Sequence, residues 1–245
     1  MSTTTIRWIR RLLMAAIVLS SAATAPQLAH AQTDVQLWTD GGIRYQVSRR
    51  LRLDAAFLAR FDQNISRGRL FGPEASFSYK LAKWIRIGAG YRFERRRIGG
   101  SLRTAHRLNF DLRLRRKVGQ VILGYRLRLQ ERIRDRRSGN SDVRGTIRNR
   151  LGLDIDTDTL VTPGMTIEFF TGMHGRRSAG LQKVRLTFGA EFDLDRVTLG
   201  AFYRVQIPVA RTGDATLHIL GLSFRANFKH HRRQRHEEES PPPAS

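Results

Sequence analysis

Apolar residues recur at every second position along most of the chain. Leu51, Leu53, Ala55, Phe57, Ala59 and Phe61 alternate with Arg52, Asp54, Ala56, Leu58, Arg60 and Asp62. Phe71, Pro73, Ala75, Phe77 and Tyr79 alternate with Gly72, Glu74, Ser76, Ser78 and Lys80. Ile85, Ile87, Ala89, Tyr91 and Phe93 alternate with Arg86, Gly88, Gly90, Arg92 and Glu94. The same period predicts strands at about 104–115, 120–132, 145–155, 164–174, 182–194, 197–207 and 216–228, with a weaker run at 35–47. Period two marks strands with one apolar and one polar face. Each run has about the length of a tilted membrane-crossing strand, ~9–11 residues.

Two architectures use such strands. A soluble sandwich or barrel turns its apolar face inward; a membrane barrel turns that face to lipid and fills its lumen with polar groups. Ser48-Arg49-Arg50, Leu81-Ala82-Lys83, Lys117-Val118-Gly119 and Asp195-Arg196 read as tight connections, while 63–70, 133–144, 175–180 and 208–215 are longer. Short turns on one rim and long loops on the other are the outer-membrane pattern. Trp38 and Trp84 suit an aromatic girdle on the apolar face. Bacterial single-chain barrels normally have an even strand count. Eleven runs therefore predict ten strands if the weak first run is incomplete, or twelve if one is hidden, with Asp156–Pro163 the place to look.

The N-terminus sets the compartment. Arg7, Arg10 and Arg11 precede a mainly apolar Leu12–Ala25, and Ala29-His30-Ala31 offers a small-x-small cleavage site. Residues 1–31 read as a signal peptide, 32–228 as the barrel, and 229–245, KHHRRQRHEEESPPPAS, as a disordered tail. Removing three arginines and no acids takes the formal charge from +23 to +20. Export takes a chain this basic away from DNA and RNA, so nucleic acid is not expected as a partner. The absence of cysteine excludes disulfides and thiolate metal sites.

The charge has a place within the alternation. In GYRLRLQERIRDRR, Val121, Leu123, Tyr125, Leu127 and Leu129 occupy one face, and Arg126, Arg128, Gln130 and Arg132 the other. A one-residue slip would put three arginines into hydrocarbon, at most ~6–12 kcal/mol. The interleaving thus fixes the register. Extended to every run, it predicts a lumen lined by Arg86, Arg92, Arg107, Arg113, Arg126, Arg128, Arg148, Arg150, Arg185, Arg204 and Arg225. Asp54, Glu74, Glu94, Asp111, Glu168 and Glu191 share that face and are expected to form ion pairs. Arg95, Arg96, Arg97, Arg134, Arg136 and Arg137, with Arg67, Arg69, Arg176 and Arg177, read as residues of the long loops at the outer rim. There they are expected to meet phosphorylated headgroups of outer-membrane lipid and lipopolysaccharide.

Catalysis and metal binding find little support. MHGRRS supplies His174 and Ser178 near a long loop, with Glu168 upstream, but without the spacing of outer-membrane lipases or deacylases. His106 and His218 face the apolar side without ligand partners. No catalytic residue, cofactor or metal is expected.

SYKLAKWIRIGAGYR (78–92) and RLRRKVGQVILGYR (113–126) both run strand, short basic turn, strand, Gly-Tyr-Arg. With Trp38 and the turn before Trp84, these segments resemble the domain-of-unknown-function family 2490 of bacterial outer-membrane barrels, over about residues 35–228. The resemblance implies location and fold, and no activity. The last strand, with Leu220, Leu222, Phe224, Ala226 and Phe228 on one face, resembles the aromatic-ended strand read by outer-membrane assembly machinery, with seventeen residues following it.

The expectation is an antiparallel transmembrane β-barrel of ten to twelve strands in the bacterial outer membrane, with short periplasmic turns and longer outer loops. Its function is expected to be a narrow channel or binding barrel for small anions. The alternatives are a structural or envelope-interaction barrel plugged by arginine–carboxylate pairs and, remotely, a surface lipase or deacylase.

Overall fold

The computed structural model describes residues 34–135, 141–173, 179–209 and 215–229. The strands are β1 Asp34–Gln46, β2 Leu51–Asp62, β3 Arg67–Lys80, β4 Ile85–Ile98, β5 Ser101–Val118 and β6 Val121–Asp135. They continue as β7 Ser141–Ile155, β8 Val161–Gly172, β9 Gly180–Leu194, β10 Val197–Pro208 and β11 Leu217–Lys229. Each pairs antiparallel with its sequence neighbours, and β1 pairs parallel with β11 to close the barrel.

The even count is therefore corrected. The weak run at 35–47 is a full strand, and the 156–160 connection hides no twelfth. Closure needs the two end strands paired, and strand parity fixes only their relative direction. With eleven strands they meet parallel, in unbroken register from Asp34↔Leu217 to Gln46↔Lys229. Evenly spaced, slanted hydrogen bonds serve that seam. β1 reads weakly because Thr39 and Gly41 interrupt its apolar face. An odd count also sends the start of β1 and the end of β11 to opposite rims.

One rim carries the connections 47–50, 81–84, 119–120, 156–160 and 195–196; call it the turn rim. The other, the loop rim, carries 63–66, 99–100, 136–140, 173–179 and 209–216. Two loop-rim connections are tight. Gly99 and Gly100 have φ of 54° and 81°, the left-handed region that glycine enters without steric cost. Of the expected 63–70 loop, everything past Ser66 belongs to β3. The ends of the expected 133–144 loop belong to β6 and β7.

The barrel is inside-out relative to a soluble domain. Every strand contributes exposed apolar side chains to the exterior, among them Ile43, Phe57 (54% exposed), Phe77, Ile87, Phe110 (60%), Leu129, Leu151, Met165, Phe188, Leu199 and Leu222. Soluble monomers rarely expose a contiguous apolar patch beyond a few hundred Å². The buried groups are instead mostly polar: Gln36, Arg92, Glu94, Arg107, Asn109, Arg128, Glu168 and Arg185. Strand alternation produces this separation directly.

Trp84 sits outside at the turn rim, 55% exposed. Trp38 does not share its place. It shares strand parity with Gln36, Asp40 and Arg44, lines the interior, and donates its indole N–H to Gln36 Oε1 at 3.1 Å. The girdle expectation does not hold at Trp38, which lines the interior. Its parity with polar neighbours sends it inward.

Candidate functional site: the lumen

Alternation brings side chains from all eleven strands into one interior cavity of about 800 Å³. Ten of the eleven arginines assigned to the lumen line it. Arg86 also turns inward, near the turn rim, donating to Ser78 Oγ at 3.2 Å. The same parity adds Arg44, Arg52, Arg60, Arg96, Arg132, Arg134 and Lys183 to the wall.

The assigned rim arginines divide. Arg95 and Arg97 lie on β4 facing outward and exposed, whereas Arg96, between them, faces inward and reaches Glu94 Oε2 at 3.4 Å. Arg134 lines the cavity from β6. These four are strand residues, so placing them in loops is corrected. Regular alternation continues past the apolar segment in the long strands β4 to β6. Arg136, Arg137, His174, Arg176, Arg177 and Ser178 lie outside the described residues.

Across β3 to β8 the wall is an ion-pair lattice, joined by Arg185 from β9. Register pairing sets Arg92 against Glu74, Arg128 against Asp111, and Arg185 against Glu168. Arg92 Nε donates to Glu74 at 2.6 Å, and Arg128 grips both Asp111 oxygens at 2.6 and 2.8 Å. Arg113 Nη2 meets the same carboxylate at 2.6 Å. Glu94, with no exposed surface, gathers Arg107 (2.6 Å), Arg96 (3.4 Å), Arg132 (3.5 Å) and Arg92 (3.9 Å). Glu168 gathers Arg126 (2.8 Å), Arg148 (2.9 Å) and Arg185 (3.3 Å). A buried carboxylate needs such partners, since losing water without them costs several kcal/mol. Even here the guanidiniums outnumber the acids.

From β8 through β11 to β2 the wall is different. Trp38, Phe170 and Phe202 are aromatics on the polar face, and cations lie on them. Arg60 sits 3.8 Å from the Trp38 ring centroid, with Arg185 at 5.1 Å and Arg204 at 5.2 Å. Arg204 is also 4.3 Å from Phe202, and Arg148, Arg185 and Lys183 stand within 4.8 Å of Phe170. Gly221 makes room for the Phe202 ring, which any Cβ there would strike. Among the described residues, no carboxylate lies within ion-pair reach of Arg60, Arg204 or Lys183. Asp40, two residues after Trp38, lines the same cavity.

The three cations around Trp38 lie within about 10 Å of one another. Each pair then repels by ~1.7 kcal/mol or more at an effective dielectric near 20. Stacking on an aromatic face returns roughly 1–2 kcal/mol per cation. The two are of one order, so the charge of Arg60 and Arg204, unlike that of Arg185 paired with Glu168, is tolerated without being neutralised. It remains available to an anion.

The signal for this wall was in the strand parity: Trp38 with Gln36 and Asp40, Phe170 with Glu168, Phe202 with Arg204. The carboxylates expected to be ion-paired divide as well. Asp54 meets Arg44 at 2.6 Å and Arg52 at 3.4 Å, while Glu191 lines the cavity. On the exterior, His106 accepts or donates a 2.7 Å bond with Tyr91, and His218 a 2.6 Å bond with Tyr203. Among the described residues, no group of three or more His, Asp or Glu side chains could hold a metal ion.

A family model described as "Protein of unknown function (DUF2490)" matches residues 35–216. No curated protein matches the chain.

Proposed function

Since the chain belongs to the DUF2490 family, whose description assigns no activity, its role must be argued from its own lumen, and we propose an outer-membrane barrel that forms a narrow, anion-preferring pathway. The single observation that carries this reading is the excess of guanidinium over carboxylate facing a continuous cavity of about 800 Å³. A wall of fixed positive charge raises the local concentration of anions and excludes cations, and ring electrostatics of this kind select by charge without a specific site.

The exterior supports the location. Its apolar residues surround the barrel, and strands of 12 to 18 residues exceed the ~9–11 needed to cross a bilayer. The signal-like residues 1–31 supply a route for export. Arg95 and Arg97, standing outside on β4 near the loop rim, are suited to bidentate pairing with phosphorylated headgroups of lipopolysaccharide. The β11 exterior, with Leu220, Leu222, Phe224 and Phe228, suits recognition by the assembly machinery.

Reconstitution in a planar bilayer tests the pathway. Across a KCl gradient the reversal potential is expected to have the sign of chloride preference. Cation preference would overturn the anion assignment. Reproducible absence of conductance would leave a structural barrel closed by its ion-pair lattice.

A further inference from the structure

We infer that the Trp38 wall of the lumen is a binding site for phosphoryl groups, built by Arg60, Arg185 and Arg204 around the indole, with Lys183 beside Arg185 on Phe170. This rests on the lumen being open to aqueous anions, and it adds a specific ligand class to a pathway otherwise selective by charge alone.

An arginine lying over a ring commits its π face and leaves the N–H groups at its edge free. Arg204 has Nε occupied by Thr187 Oγ1 at 2.8 Å, which leaves both terminal nitrogens without a hydrogen bond among the described residues. Arg60, closest to the ring, makes no hydrogen bond among those residues. Neither does Lys183, which stands 4.8 Å from the Phe170 centroid. Arg185 is partly engaged, with Gln206 at 2.7 Å and Glu168 at 3.3 Å.

The chemistry follows from the donors. These cations come from β2, β9 and β10 and line the same cavity, with Arg60, Arg185 and Arg204 on Trp38 and with Lys183 and Arg185 on Phe170. Two free guanidinium edges and an ammonium offer more donors than the two oxygens of a carboxylate accept well. A phosphoryl group presents three terminal oxygens and close to two negative charges near neutral pH, and guanidinium forks match its geometry. Chloride offers neither the charge nor the directional acceptors. Of the nearby carboxylates, Glu168 is held by three arginines, and Asp40, on the same face of β1 as Trp38, makes no ion pair among the described residues and leaves the cations in excess.

The test uses inorganic pyrophosphate as the probe and Trp38 as the reporter, on the chain from residue 32 onward with Trp84→Phe removing its other indole. Folded protein in detergent is titrated at constant ionic strength, and equilibrium dialysis gives the stoichiometry. We expect a saturable change in Trp38 emission at one pyrophosphate per barrel, at least tenfold tighter than with chloride. Arg60→Gln and Arg204→Gln should each weaken it about tenfold, and Arg49→Gln, in an exposed turn, should not. If Arg60→Gln fails to fold, Arg60→Lys keeps the charge, loses the fork and should still bind several-fold more weakly. No dialysis binding, or equal response to chloride and pyrophosphate, overturns the site. Chloride conductance that pyrophosphate leaves unaltered does so too, while sparing the pathway. Pyrophosphate binding without conductance does the reverse.

Discussion

The two halves of the lumen wall use the same residue for opposite ends. From β3 to β8, arginines converge on Glu74, Glu94, Asp111 and Glu168, so their charge is consumed in holding adjacent strands together. From β8 round to β2, Arg60 and Arg204 rest on Trp38 and Phe202, which position a guanidinium without neutralising it, while Arg148 and Arg185 join the two walls by lying on Phe170 and pairing with Glu168. An arginine's neighbour thus decides whether it acts as a strut or as a donor. Composition alone, which registers only a strongly basic chain, cannot separate the two.

The largest effect should come from breaking the lattice at its most shared acid. Glu168→Gln removes the charge facing Arg126, Arg148 and Arg185, leaving buried guanidiniums uncompensated. We expect ~3–5 kcal/mol of lost stability in urea unfolding from lipid vesicles. A loss below about 1 kcal/mol would mean that water in the lumen, not Glu168, carries those charges. On the other wall, Trp38→Ala should cost less, roughly 2 kcal/mol, from lost stacking. A double-mutant cycle with Arg60→Ala should return a coupling of about 1 kcal/mol, and zero coupling would show the 3.8 Å contact to be energetically idle.

Topology offers a test without energetics. Tags at the start of β1 and after β11 should be reachable from opposite sides of a vesicle membrane. Reactivity from one side alone would contradict eleven strands.

The smallest effect lies at the turn rim. The Lys117 ammonium beside Asp156 holds that carboxyl below the usual carboxylate range. A depressed acid contributes stability that is present above its unfolded pKa and lost as pH falls through the folded one. The pair is solvent-exposed, so acid should loosen this turn only slightly. NMR titration of Asp156 should place its midpoint below that of a model aspartate, and Lys117→Met should raise it toward the ordinary value, with the Asp158 N–H still donating to the carboxylate.

Much of this was legible in the alternation. Strand positions and the inward set of arginines follow from period two, because one face must differ from the other. Register partners such as Glu74↔Arg92 and Asp111↔Arg128 follow once hairpins are assumed. Contacts that skip a strand do not, such as Arg132 on β6 with Glu94 on β4, because they depend on the curvature of the closed wall. The parallel seam was hidden by expecting an even count, although β1 has full strand length. Trp38 was misplaced because an interfacial belt is the commoner home for tryptophan, whereas Gln36, Asp40 and Arg44 on its own strand already marked the other face. Arg95–Arg97 read as a loop because charge usually ends a membrane strand, and here β4 runs on to Ile98.

The central claim is that the charged face encloses water while the apolar face meets lipid, and the cysteine-free chain allows a direct test. Ser76 lines the cavity, and its neighbour Ala75 points outward on the same strand. Single Ser76→Cys and Ala75→Cys variants, folded into lipid vesicles, should differ sharply toward a small water-soluble thiol reagent. Ser76→Cys should react, faster with a negatively charged reagent than with a positive one, and Ala75→Cys should stay protected. Protection at 76 with reaction at 75 would contradict the account.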